Sequence, residues 1–475
     1  MKRAITSAFA VVLLCLLSAG VILYAHGQLT ARGEDVSVTE TTLFGDKREA
    51  EGIALETKIC SSGRVSGSKL INWDVSSHLS GGSLKTDIRC FLDDTEFSDN
   101  DASGIQLREA LYLSYGASDL LLEYADNQIN FPRKIFDAVA GKTKAGKKHT
   151  EKVRLSDYLS CYPVKMDIGS EVPYGTSCLP DGSLVDYGSY FGIPIDDDIR
   201  LKVTVSKNAQ GTPTDFSAEP VGETYLSLES ASAACRDADC IYTALTGYYL
   251  GGTLKEIPEE KCGIHRIPLK SYKTTELNSF DYVYADMENA QLVYPLESKQ
   301  DIVKLEIDGS GKNLLLFTWE HGDIFLSVID ISTMICRQKL LVMSDISPTG
   351  EALPDFQVRQ FQNSLLLLNE SREFSYLLID SSVYRLETQG RLSQIFPKYF
   401  TAWNLSHAYD GERFAIAFQE GIEFHHSYSA YLMVYRKSEL VYAGCFENSL
   451  EQALHYHNDW DPINPLAIVF EEASK

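Results

Sequence analysis

Leu314-Leu315-Leu316-Phe317, Leu365-Leu366-Leu367-Leu368 and Phe414-Ala415-Ile416-Ala417-Phe418 are one feature met three times. Each run is followed by a polar turn and a second apolar run. The second runs are Leu326-Ser327-Val328-Ile329-Asp330, Tyr376-Leu377-Leu378-Ile379-Asp380 and Tyr431-Leu432-Met433-Val434-Tyr435. The first runs begin at 314, 365 and 414, spacings of 51 and 49 residues. A fixed period near 50 marks a repeat architecture, because one unit cannot bury its apolar face without a neighbour. The repeat places units at 301–342, 355–388 and 396–446.

Upstream, short runs rich in Val, Ile, Tyr and Thr are punctuated by Gly, Asp and Ser, the signature of strands. Residues 36–44, 53–59, 70–75 and 84–91 read together as a first four-stranded unit. Residues 97–150 are the least regular part of the chain, with a second unit placed at about 105–150. Residues 153–159, 162–168, 190–195 and 200–206 read as another unit, followed by one at 215–296. Tyr190-Phe191-Gly192-Ile193-Pro194-Ile195 has an echo in Cys262-Gly263-Ile264-His265-Arg266-Ile267-Pro268-Leu269. The echo suggests equivalent strands in consecutive units. The count is about seven units in an all-β chain. Four-stranded units repeated in this way resemble β-propellers. The resemblance implies a ring of blades over 36–475, although neither a WD dipeptide nor a kelch double glycine recurs from unit to unit.

The chain is 44% hydrophobic and 23% charged, the composition of a packed globular protein. A formal charge of −23 argues against a nucleic-acid partner, which needs clustered Lys and Arg. Lys2 and Arg3 precede an uncharged run from Ala4 to Ala25, long enough as a helix to cross a bilayer. Residues 1–27 therefore read as a signal anchor that keeps the N-terminus inside and exports the rest. A cleavable signal peptide with Ser18-Ala19-Gly20 at its end is the alternative, which would leave a secreted protein. Residues 28–35 are a polar linker. An N-terminal anchor before a propeller-like body resembles uncharacterised extracytoplasmic proteins of Gram-positive bacteria. The matching stretches are 38–45, Trp73-Asp74 and 325–334. That resemblance implies a location and a fold, and it carries no site residues.

Export permits disulfides. Nine cysteines follow the anchor, and an odd number cannot pair completely within one chain. Cys60 with Cys90, Cys161 with Cys178, and Cys235 with Cys240 are the candidate bridges. Catalytic motifs are few. Asp308-Gly309-Ser310-Gly311-Lys312 lacks the remaining residues of a phosphate loop and reads as a hairpin turn. Asp99 to Gly104 imitates the first half of a calcium loop, but Ala110 stands where the bidentate Glu belongs. His455, His457, Asp459 and Asp461 alternate as zinc ligands on a strand would. A tail segment packing Trp460 is the competing reading. Lys142 to His149 is a dense basic run, read as a solvated loop or as a contact for an anionic polymer. No cofactor motif is present. The expected function is a membrane-anchored extracytoplasmic binding or scaffold module for an unknown protein or glycan. A carboxylate-dependent glycan or peptide hydrolase and an envelope sensor or assembly accessory are the alternatives.

Overall fold

The structure is a computed structural model. It describes residues 18, 20, 21, 37–60, 70–93, 105–109, 114–116, 131–161, 164–168, 185, 187–195, 197, 199–221, 228–237, 239–250, 253–273, 281–298, 300–346, 356–361, 363–369, 373–395, 401–422, 425–448 and 467–470. The chain divides into two compact units. The first is Met1–Asp99 with Ser364–Asp380 and Arg385–Lys475, and the second is Asn100–Asn363 with Ser381–Tyr384.

Among the described residues the strands form six sheets. The three apolar repeats lie in three successive meanders. One runs Asp301–Ile307, Asn313–Glu320, Asp323–Asp330, Ile335–Met343, and the next Phe356–Phe361, Ser364–Asn369, Glu373–Asp380, Val383–Arg391. The third runs Thr401–Tyr409, Arg413–Ile422, His425–Arg436, Glu439–Asn448. Leu314 to Phe317, Leu365 to Leu368 and Phe414 to Phe418 are buried at every position. A strand covered on both faces needs apolar residues on both, which is why these runs are continuous rather than alternating. The fourth strand Ile335–Met343 has one covered face and alternates accordingly. In the second unit, Leu305, Leu314, Leu316 and Ile329 of the first meander pack against Tyr242, Ala244 and Ile264 in one core.

The terminal strands exchange partners, and here the structure departs from the sequence reading. Val38–Gly45 does not join the strands that follow it. It pairs antiparallel with Glu439–Asn448 as the fifth strand of the last sheet, from Val38 opposite Asn448 to Gly45 opposite Tyr442. The vacated place is taken by the other end of the chain. Ala467–Phe470 pairs with Ile53–Cys60, completing a sheet with Leu70–Ser80 and Ser83–Asp93. The two sheets share one core, in which Ile53, Leu55, Leu79 and Ile468 meet Ala415, Ala417, Leu432, Val434 and Tyr442. The 47–50 turn between them is clamped by Arg413, whose Nη1 donates to the carbonyls of Glu49 and Glu51 at 2.8 and 2.9 Å. Arg436 adds an ion pair to Glu49 at 2.8 Å.

Residues 105–295 depart from the expectation of regular four-stranded units, and among the described residues one of the six sheets has eight strands. Phe131–Lys142 is a helix that puts Ile135, Phe136, Val139 and Ala140 onto Val153, Leu201, Val203 and Phe216. Its sheet has the order Ser114–Gly116, Pro213–Pro220, Arg200–Lys207, Lys148–Arg154. Tyr187–Phe191 is a short helix, not a strand. An eight-stranded sheet gathers Ile105–Glu109, Val164–Ile168 and six strands between Leu228 and Pro295. Residues 1–27 lie outside the described residues apart from Ser18, Gly20 and Val21, so the anchor stays an expectation. Among the described residues no helix is long and apolar enough to cross a membrane.

One glycine is tied to the exchanged strand. A Cβ on Gly444 would overlap the Tyr442 hydroxyl, which donates to Glu40 Oε1 at 2.8 Å. Gly444→Ala is expected to cost about 1–3 kcal/mol in denaturant unfolding, the range for overpacking. The penalty should shrink when Tyr442→Phe removes the hydroxyl as well.

Candidate functional site

The two segments read as echoes meet in space. The helix Tyr187–Phe191 sets Tyr190 and Phe191 against His265 on the strand Gly263–Lys273, with ring centroids 5.5 and 5.1 Å away, both edge-on. His265 is fully buried. Its Nε2 lies 2.8 Å from the carbonyl of Lys261, so Nε2 carries the proton. Nδ1 then accepts from the Tyr190 hydroxyl at 3.1 Å. Lys261 Nζ sits 4.2 Å above the Tyr190 ring. Burial above all pushes the imidazole down to about 4, and the Lys261 charge acts the same way. Burial raises the Tyr190 phenol.

Cys262 beside it is buried, its thiol facing the carbonyls of Pro258, Thr246 and Ile257 at 3.6, 3.7 and 3.9 Å. Burial raises this thiol, and Glu259, Glu256 and Glu260 add to the effect. A thiolate is the reactive form, so this cysteine is poorly placed as a nucleophile. Opposite His265 on the neighbouring strand, Thr243 buries a hydroxyl with no hydrogen-bond partner among the described residues. A neutral imidazole with both nitrogens engaged and no exposure cannot exchange protons with a substrate. The cluster pins the short helix to the sheet. Sequence reasoning passed over His265, because Ile264 and Ile267 beside it make the segment read as an ordinary strand.

Burial raises two carboxyls on the strand Asp301–Ile307. Asp301 is raised by burial alone, and Glu306 by burial against the opposing charge of Lys304, 3.4 Å away. Five strand positions separate them by roughly 16 Å. A glycosidase pair stands about 5–10 Å apart, so these two do not form one.

The Asp308 turn joins Asp301–Ile307 to Asn313–Glu320. Asp308 Oδ1 accepts from the amides of Lys312 and Asn313 at 3.0 and 3.2 Å, and Oδ2 accepts from Asn313 Nδ2 at 2.6 Å. The chain's own carboxylate thus fills the amide cradle in which a phosphate would lie. Hydrogen bonds from Asn313, Ser310 and Lys312 outweigh burial, the largest single influence, and hold this acid below its usual range.

The other sequence candidates are placed as follows. His455, His457, Asp459 and Asp461 lie outside the described residues, as do Asp99 to Gly104. Among the described residues no group of three His, Cys, Asp or Glu is arranged to hold a metal. Cys60 and Cys90 stand on strands separated by Leu70–Ser80. Two strand spacings, about 10 Å, separate their backbones, more than the usual span of a disulfide. Cys161 and Cys240 are not in disulfides. Cys178 lies outside the described residues, and Cys235 is described only as backbone opposite Tyr242. The basic run is structured: Lys142 ends a helix and pairs with Glu151 at 2.6 Å, while Lys148 and His149 begin a strand.

No family model matches the chain, and no curated protein matches it. Solved structures similar to it include the β-propeller domain of Cps50 (Swd1) from Myceliophteria thermophila, 12% identical. That match covers 52% of this chain and 82% of the other at a TM-score of 0.23. The N-terminal domain of Nup159 is 11% identical over 53% of this chain and 59% of its own, with a TM-score of 0.23. A putative 6-phosphogluconolactonase from Bacteroides fragilis is 10% identical over 84% of this chain and 82% of its own, also at 0.23. Scores this low leave the fold to be argued from the sheets.

His265 gives a pH prediction. Its folded pKa lies below the ordinary value, so its contribution is complete above about pH 6.5 and is lost as pH falls towards 4. The loss amounts to about 3 kcal/mol. Denaturant titrations at pH 7 and pH 4.5 should show a smaller drop for His265→Gln than for the parent chain. Equal drops would contradict the assignment.

Proposed function

We propose that this chain is an extracytoplasmic binding or scaffold module, membrane-anchored through residues 1–27, whose body is a β-propeller. The observation that carries the reading is the exchange of terminal strands between the first and last sheets. Such an exchange ties the two ends of a series of meanders together, which is what a propeller requires of its first and last blades. The sheets then form a rigid scaffold, and recognition falls to the turns and edges, as is usual where loops are held by a stable frame. The buried polar groups support the same reading. His265, Cys262 and Asp308 are each engaged in bonds that hold backbone together rather than turned towards a ligand.

Two measurements test it. Deleting residues 1–27 removes the export signal together with the anchor, so the protein should move from the membrane to the soluble cytosolic fraction, and tight membrane association without them would contradict the anchor. In-cell crosslinking should capture a partner that rebinds the purified chain at micromolar affinity or better. Turnover of a glycan or peptide by the purified chain, abolished by Glu306→Gln, would overturn the binding reading in favour of a hydrolase.

A further inference from the structure

Val38–Gly45 is added to a sheet that already has four strands of its own, as many as the 301–343 meander has. It lies at the sheet edge and is joined by main-chain pairing. Thr39, Thr41, Thr42, Leu43 and Phe44 are all exposed. The strand therefore buries little apolar surface, which is the character of a locally opening element.

One side chain is treated differently. The Glu40 side chain is 1% exposed and ion-paired with Lys47. It accepts hydrogen bonds from Thr42 Oγ1 at 2.7 Å and from the Tyr442 hydroxyl at 2.8 Å. Tyr442 is fully buried, and Gly444 leaves the space its hydroxyl occupies. The edge of Glu439–Asn448 thus presents a buried phenol whose acceptor comes from the added strand. If the strand leaves, that donor loses its partner, at the cost of an unsatisfied buried polar group. An incoming strand would have to restore an acceptor at the position opposite Phe446, where Glu40 now stands.

We propose that this edge is a strand-acceptor site, filled within the chain by Val38–Gly45 and open to an extended acidic peptide of a partner protein when that strand lifts. The inference deepens the binding-module reading and rests on it. Main-chain bonds along Glu439–Asn448 supply affinity, and a Glu or Asp opposite Phe446 sets the register. The tethered strand competes at a high effective concentration, so it acts as a built-in inhibitor.

The test uses the full chain and a fluorescein-labelled peptide of sequence 37–46. With Glu40→Ala in the chain, hydrogen exchange at 38–45 should accelerate at least tenfold while 413–418 stays protected. The peptide should then bind this variant at least tenfold more tightly than the parent chain. The same peptide carrying Glu40→Ala should bind at least tenfold more weakly. Unchanged protection at 38–45 would overturn the proposal, and so would loss of protection throughout the chain. An exposed edge that fails to bind the peptide would overturn it too. A failure here leaves partner capture by the intact chain unaffected, so the two readings fail separately.

Discussion

The pairing of Val38–Gly45 with Glu439–Asn448, answered by that of Ala467–Phe470 with Ile53–Cys60, is the constraint on which the first compact unit depends. Each terminal strand completes a sheet whose other strands come from the far end of the sequence. Loss of either sheet would expose the apolar core that the two share. The shared core of Ile53, Leu55, Leu79, Ala417, Leu432 and Val434 follows from this pairing, because it brings the two sheets face to face. Arg413 reinforces it by holding the carbonyls on either side of Ala50. Contacts between residues so distant in sequence carry a large loop-closure cost, which apolar burial must outweigh.

The polar groups inside the sheets serve the same end. Asp308 takes the amides of its own hairpin turn, and Asp410 Oδ1 does so in the last meander, accepting from Glu412 and Arg413 at 2.9 and 2.7 Å. His265 joins a helix and a strand through both ring nitrogens. Asn369 begins an Asn-Glu-Ser sequon, yet it is buried, accepting from the Glu373 amide at 2.8 Å and donating to its carboxylate at 3.0 Å. A residue so engaged is closed to glycosylation in the folded chain. Buried polar atoms must find partners, and here most find them in neighbouring backbone.

The sequence revealed those elements whose burial leaves a continuous mark. Leu314 to Phe317 and its two counterparts were legible because both faces of those strands are covered. Residues 38–44 were legible as a strand, but their partner lies some four hundred residues away, and propensity carries no information about pairing. Ala467–Phe470 is four residues long and too short for a periodic signal. The helix Phe131–Lys142 left a trace in Ile135, Phe136, Val139 and Ala140, a helical spacing overlooked among irregular neighbours. Tyr190 and Phe191 favour strands by type, and only tertiary packing against His265 accounts for their helix. The buried carboxylate slot of Glu40 had no local signature, because Tyr442 and Gly444 supply it.

Hydrogen exchange on the full chain and on a chain ending at residue 466 tests the strand exchange most directly. The account predicts that loss of Ala467–Phe470 lowers protection at least tenfold in Ile53–Cys60 and also in Arg413–Ile422, while Asn313–Glu320 in the second unit keeps its protection. Unchanged protection in both of the first two strands would contradict the claim that the terminal strands hold the first and last sheets together.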